Sequence, residues 1–144
     1  EPNREEASLN YFSEIQSFID KNGLNGFVYI RPFRKDVEVF YHGVDCCLMA
    51  SKSETFGMVT IESLYCETPV IASNAGGSPE LIEDGATGLL FESLNSDDLA
   101  LKMRFMKAHF DDLKKKNLRK SVEKYDANRV CYQVEIALGL PHLV

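Results

Sequence analysis

Two short apolar runs constrain this chain more than any other feature: Asp45-Cys46-Cys47-Leu48-Met49-Ala50 and Pro69-Val70-Ile71-Ala72. Both are too short for buried helices, and apart from Asp45 they offer no polar residue to either face of a strand. Strands of this kind are buried on both sides, as in parallel sheets covered by helices. The stretches around them have helical length and spacing. Leu9, Phe12, Ile15 and Ile19 recur at helical intervals between Ala7 and Lys21, and Asn22-Gly23 ends that segment.

A β-rich run, Phe27-Val28-Tyr29-Ile30, is expected to be a strand, followed by a helix from Asp36 to His42 that stops at Gly43. A further helix is expected from Phe56 to Glu67. Ser78-Pro79-Glu80 opens a short helix with Ser78 as cap, and Asp84-Gly85-Ala86-Thr87-Gly88 turns the chain into Leu89-Leu90-Phe91. Ser96 is expected to cap a long helix bearing Leu99, Met103, Met106 and Phe110, with one or two more helices between Asp111 and Gly139. Strands separated by helices imply the α/β class: a parallel sheet with helices on both faces and right-handed crossovers.

At 144 residues and 44% hydrophobic content, one domain spanning 1–144 is the expectation. The net charge of -6 argues against a nucleic-acid partner, because phosphate binding needs a basic face. Cys46, Cys47, Cys66 and Cys131 show no C-x-x-C spacing, and adjacent cysteines on a strand point to opposite faces. No metal site is expected. Unpaired cysteines suit a reduced, cytoplasmic compartment, and no apolar run approaches the roughly 20 residues that cross a bilayer.

Ligands of open parallel sheets collect where strand ends lead into helix N-termini. That rule selects three loops: Arg31-Pro32-Phe33-Arg34, Ser51 to Gly57, and Asn74 to Ser78. The last two place glycine before a helix, which lets a phosphate-bearing ligand approach unpaired N–H groups. Glu54 precedes one helix and Glu62 lies two turns inside it, so both can face one pocket at the positive end of the dipole. A carboxylate flanked by Val59 and Cys66 needs hydrogen-bond partners, and a ribose diol could supply two. The alternative for Glu62 is an exposed helical glutamate.

The continuous stretch Ser51-Lys52-Ser53-Glu54-Thr55-Phe56-Gly57-Met58-Val59-Thr60-Ile61-Glu62, carried on through Pro69-Val70-Ile71-Ala72 and Gly76-Gly77-Ser78-Pro79-Glu80, resembles the signature of family-four retaining glycosyltransferases. The likeness continues through Asp84-Gly85-Ala86-Thr87-Gly88-Leu89-Leu90-Phe91. It implies the Rossmann-like C-terminal half of a B-type fold, in which two such domains face a cleft. By that likeness Glu54 faces the hydroxyls of the transferred sugar and acts as the catalytic residue, while Glu62 holds the nucleotide ribose. Backbone groups of Phe56, Gly57, Met58 and Val59 meet the sugar and diphosphate, Gly76 and Gly77 line the cleft, and Arg31 and Pro32 stand where the base is contacted. For Gly76 and Gly77 a tight turn entering a helix is the competing role. The ligand implied is a UDP-, GDP- or ADP-sugar, with no cofactor and no metal.

The family's arginine and lysine against the diphosphate have no match in residues 1–26, and Arg31-Pro32 replaces a usual glycine. A piece lacking its first strand and the N-terminal acceptor domain is therefore expected, inactive alone. A noncatalytic module for nucleotide-sugar binding or assembly is the alternative reading. A receiver-like signalling domain ranks last, since the strands end in Ala50-Ser51 and Ala72-Ser73 rather than in clustered aspartates. Lys114, Lys115, Lys116, Arg119, Lys120 and Lys124 read as a solvated face, with peripheral contact to the inner membrane face as the alternative. His42, His109 and His142 are expected to be structural or exposed, and Met103 and Met106 to fill the core.

Overall fold

A computed structural model describes residues 4–114 and 116–138, leaving side chains 4–7, 131, 132, 134, 135 and 138 aside. The chain resolves into two compact units, Glu1–Lys35 and Asp36–Val144. The first holds helix α1 (Arg4–Lys21), whose end is marked by Gly23 at φ +63° and by Leu24 N–H donating to the Ile19 carbonyl. After it, Phe27–Ile30 forms no strand; an isolated bridge joins Asn25 to Val28, and Phe27 is 84% exposed. The expected strand fails because β-propensity is realised only against a partner strand.

The second unit runs α2 (Val37–His42), β1 (Cys47–Met49), α3 (Met58–Tyr65), β2 (Val70–Ser73), α4 (Ser78–Leu81), β3 (Gly88–Phe91), α5 (Ser96–Lys114), α6 (Leu118–Val122) and α7 (Ala127–Leu138). Its described strands form one parallel sheet in the order β1-β2-β3, with Leu48 opposite Ile71 and Ile71 opposite Leu89. Alternation along β2 divides the core in two. Val70 and Ala72 enter one cluster with Leu64 of α3, Leu118 and Val122 of α6, and Leu81 and Ile82. Ile71 enters the other, with Leu89 and Phe91 of β3 and Met106 and Leu113 of α5. Helices therefore cover both faces, and β2 is buried at every position, as its composition requires. Adjacent Cys47 and Cys46 fall on opposite sides, packed against the first and second clusters respectively. Burial raises the Cys46 thiol to about 11, with Cys47 and Asp45 adding to the shift.

Strand β1 departs from the expectation of two-sided burial. Its Leu48 is 41% exposed and lines a hollow of about 540 Å³ with Ile71, Met103, Met106 and Phe110. No described strand pairs with the outer edge of β1, so cover on that side is thinner. For the same reason Met103 is 46% exposed and only Met106 joins the core. Two caps lie one residue before their expected positions. Asn95 Oδ1, not Ser96, accepts from Asp97 and Asp98 N–H at 3.1 and 3.0 Å, and Gly77 rather than Ser78 precedes α4.

Helix α5 kinks at His109, whose Nδ1 lies 3.0 Å from the Phe105 carbonyl and whose ring stacks on Phe105 at 4.1 Å. The basic cluster is partly engaged within the chain. Lys116 Nζ donates to the Gly85 carbonyl at 2.8 Å, and Arg119 lies over the Tyr65 ring at 4.0 Å and bonds its hydroxyl. Glu67 accepts from Leu118 and Arg119 N–H, fastening α6 beside α3. Among the described residues, no helix is long and apolar enough to cross a membrane. His142 and Lys115 lie outside the described residues.

Candidate functional site

The carboxyl ends of the three strands are tied together by their loops. Ser73 Oγ, at the end of β2, donates to the Ser51 carbonyl at 2.6 Å, and Asn74 N–H donates to the Phe91 carbonyl at 2.7 Å. The decisive contact joins the two glycine-bearing loops. Gly77 N–H donates to the Glu54 carbonyl at 2.7 Å. A Cβ on Gly76 would stand 2.1 Å from Glu54 O and 2.6 Å from Glu54 N, and one on Gly77 would stand 2.9 Å from Thr55 O. Gly76 and Gly77, read from sequence as cleft lining or as a tight turn entering a helix, must also be glycine for a further reason: the Glu54 loop passes directly against them.

Gly57 forms the corner into α3 with φ +87°, and a Cβ there would meet Leu81 Cδ1 at 2.8 Å. The left-handed φ favours glycine here, since the Leu81 side-chain end could shift aside for a Cβ. Gly57 provides no side-chain cap, and the first turn of α3 contains no acidic residue. The first intrahelical bond in this turn is Ile61 N–H to the Gly57 carbonyl, so the preceding N–H groups, those of Met58 and Val59 among them, point forward from the positive helix end. Phe56, Met58 and Val59 expose their side chains, and Phe56 sets its ring edge against Tyr125 at 5.5 Å. These positions are suited to contact through backbone.

Glu54 is half-buried in the loop, and Glu62, also half-buried, lies on the second turn of α3. Glu62 has a partner that sequence reasoning missed: the Tyr41 hydroxyl donates to its Oε2 at 3.1 Å. Helix α2 carries Tyr41 21 positions upstream, and no local pattern marks so distant a pairing. Arg31 and Pro32 belong to the other compact unit, where Arg31 lies over the Tyr29 ring at 5.2 Å. The hollow beside Leu48 is lined by neither glutamate. Among the described residues no group of three His, Cys, Asp or Glu is arranged to hold a metal ion.

One buried polar atom near this corner has no partner. Thr60 Oγ1 is fully buried without a hydrogen bond, which carries a desolvation cost of about 1–3 kcal/mol. Thr60→Val keeps the shape and removes that cost, so its urea midpoint is expected to rise by the equivalent of about 1 kcal/mol. A lower midpoint would mean that the hydroxyl is satisfied in solution.

Residues 8–129 match the family described as glycosyl transferases group 1. The chain is 37% identical over 93 residues to an uncharacterized glycosyltransferase of Methanocaldococcus jannaschii, covering 64% of this chain and 26% of that protein. It is 38% identical over 88 residues to a D-inositol 3-phosphate glycosyltransferase of Paenarthrobacter aurescens, covering 60% and 22% respectively. Anabaena HepE in complex with UDP-glucose superposes with a TM-score of 0.83 at 27% identity, over 91% of this chain and 37% of that one. The match thus spans roughly a quarter of these sequence relatives and little more than a third of the structural one. On the extent of the family match, this chain belongs to the glycosyl transferases group 1 family.

Proposed function

We propose that this chain is the donor-binding half of a retaining glycosyltransferase that holds a nucleotide-diphosphate sugar at the N-terminus of α3, with the acceptor domain elsewhere in the same protein. The observation that carries the reading is the uncapped glycine corner of α3, against which the Gly76-Gly77 loop presses the backbone of Glu54. Such a corner presents N–H groups and a positive dipole end to a diphosphate. Charge that develops on the departing diphosphate would be stabilised by donors already in place. Glu54, fixed through its backbone by Gly77, faces the hydroxyls of the transferred sugar, and Glu62 receives the ribose diol. A carboxylate has about four lone-pair sites, so the bond from Tyr41 leaves room for both hydroxyls.

Structural relatives support the ligand class: HepE of Anabaena was crystallised with UDP-glucose and with UDP. Base and sugar stay open among UDP-, GDP- and ADP-sugars. Carbohydrate biosynthesis at the cytoplasmic side belongs to the same reading. Thermal unfolding with UDP, GDP, ADP and their sugar conjugates tests it. One series is expected to protect the chain, by about 2.7 kcal/mol at roughly a hundredfold excess over Kd. No protection by any of them, together with no effect of Glu62→Ala, would overturn the assignment.

A further inference from the structure

Tyr41 is 6% exposed, yet its hydroxyl reaches a half-buried carboxylate on a neighbouring helix. Its backbone is anchored independently: Thr68 Oγ1 donates to the Tyr41 carbonyl at 2.7 Å, and the Thr68 carbonyl accepts from Ser63 Oγ at 2.9 Å. Thr68 and Ser63 are themselves buried. The phenol is thus held at both ends, by a buried polar chain at its backbone and by Glu62 at its tip. A glutamate on a helix surface otherwise samples many rotamers, and a ligand must arrest that motion when it binds.

We infer that Tyr41 is a positioning residue for the nucleotide site, its hydroxyl holding the Glu62 carboxylate in the orientation that receives two ribose hydroxyls. This rests on the proposed role of Glu62. Burial, reinforced by the adjacent Glu62 charge, pushes the phenol well above its ordinary range, so it remains a donor throughout the physiological pH interval. A fixed donor on Oε2 also selects which lone pairs remain for the ligand, making the clamp directional.

Calorimetric titration of the chain with UDP, GDP and ADP, each beside its 2′,3′-dideoxy counterpart, separates positioning from general support. Tyr41→Phe keeps the buried ring and removes the hydroxyl. It is expected to weaken the ribose nucleotide by roughly fivefold to tenfold, to leave the dideoxy nucleotide unchanged, and to add nothing in a Glu62→Ala background. Thr68→Val releases the tyrosine backbone and is expected to give a smaller loss with the same dependence on the diol, which serves if Tyr41→Phe fails to fold. Equal weakening of both nucleotides, or no weakening where Glu62→Ala causes a loss, would overturn the role of Tyr41 alone. If Glu62→Ala makes no distinction between ribose and dideoxy nucleotides, or if none of the nucleotides binds, the role of Glu62 falls and that of Tyr41 with it.

Discussion

Gly76→Ala is expected to destabilise the chain by about 3–5 kcal/mol, enough to unfold much of it at ordinary temperature. Two costs combine at this position. Gly76 has φ +60°, where an L-residue costs about 1 kcal/mol. The larger cost is steric, since the new Cβ would lie 2.1 Å from a backbone oxygen and 2.6 Å from a backbone nitrogen of Glu54. Backbone cannot rotate aside as a flexible side chain would, so the whole Glu54 loop has to retreat. Gly85→Ala provides the reference, because Gly85 has φ +75° but nothing within 4 Å of a Cβ. Its cost should be near 1 kcal/mol. Urea unfolding of both variants checks the contrast, and equal costs would show that the two loops do not approach as closely as described.

Glu62→Ala is expected to weaken the bound nucleoside diphosphate by about 1.5–3 kcal/mol for each charged hydrogen bond lost, which for a two-hydroxyl clamp is a loss of roughly 10²- to 10⁴-fold. Stability should fall much less, by about 1–2 kcal/mol, chiefly because the buried Tyr41 hydroxyl loses its acceptor. Glu54→Ala should behave differently. It should weaken the sugar conjugate and spare the bare diphosphate, since the role proposed for Glu54 is to face the transferred sugar. Calorimetric titration with both ligands makes the comparison, and an affinity change below about twofold for Glu62→Ala would remove the ribose clamp from the site.

What could be read in the sequence followed from how local the determining physics was. Pro69–Ala72 announced a strand buried on both faces because each of its residues is apolar, and Val70 to Ser73 are indeed enclosed. In β1 the same argument held only in part: Cys47 and Met49 are half-buried against the first cluster, and Leu48, on the other face, is exposed because its cover is supplied from beyond the strand. Phe27–Ile30 shows the limit more sharply, since four β-favouring residues form no strand without a ladder partner. Gly57 was legible as a helix corner, and the glycine pair as a close-approach or turning point. That the approaching group is the backbone of Glu54, more than 20 positions earlier, could only come from the fold. Tyr41 was invisible for the same reason: its spacing fits any short amphipathic helix, and its meaning lies in a partner on α3.

On the proposed reading, Glu54 and Glu62 serve one ligand at the N-terminus of α3. A crystal structure of the chain with the nucleotide-diphosphate sugar that protects it best tests this most directly. The expected result is the diphosphate against the Gly57–Val59 backbone, the ribose diol on Glu62 and the sugar hydroxyls toward Glu54. A ligand seated instead in the hollow beside Leu48 and Met103, with both glutamates untouched, would contradict it.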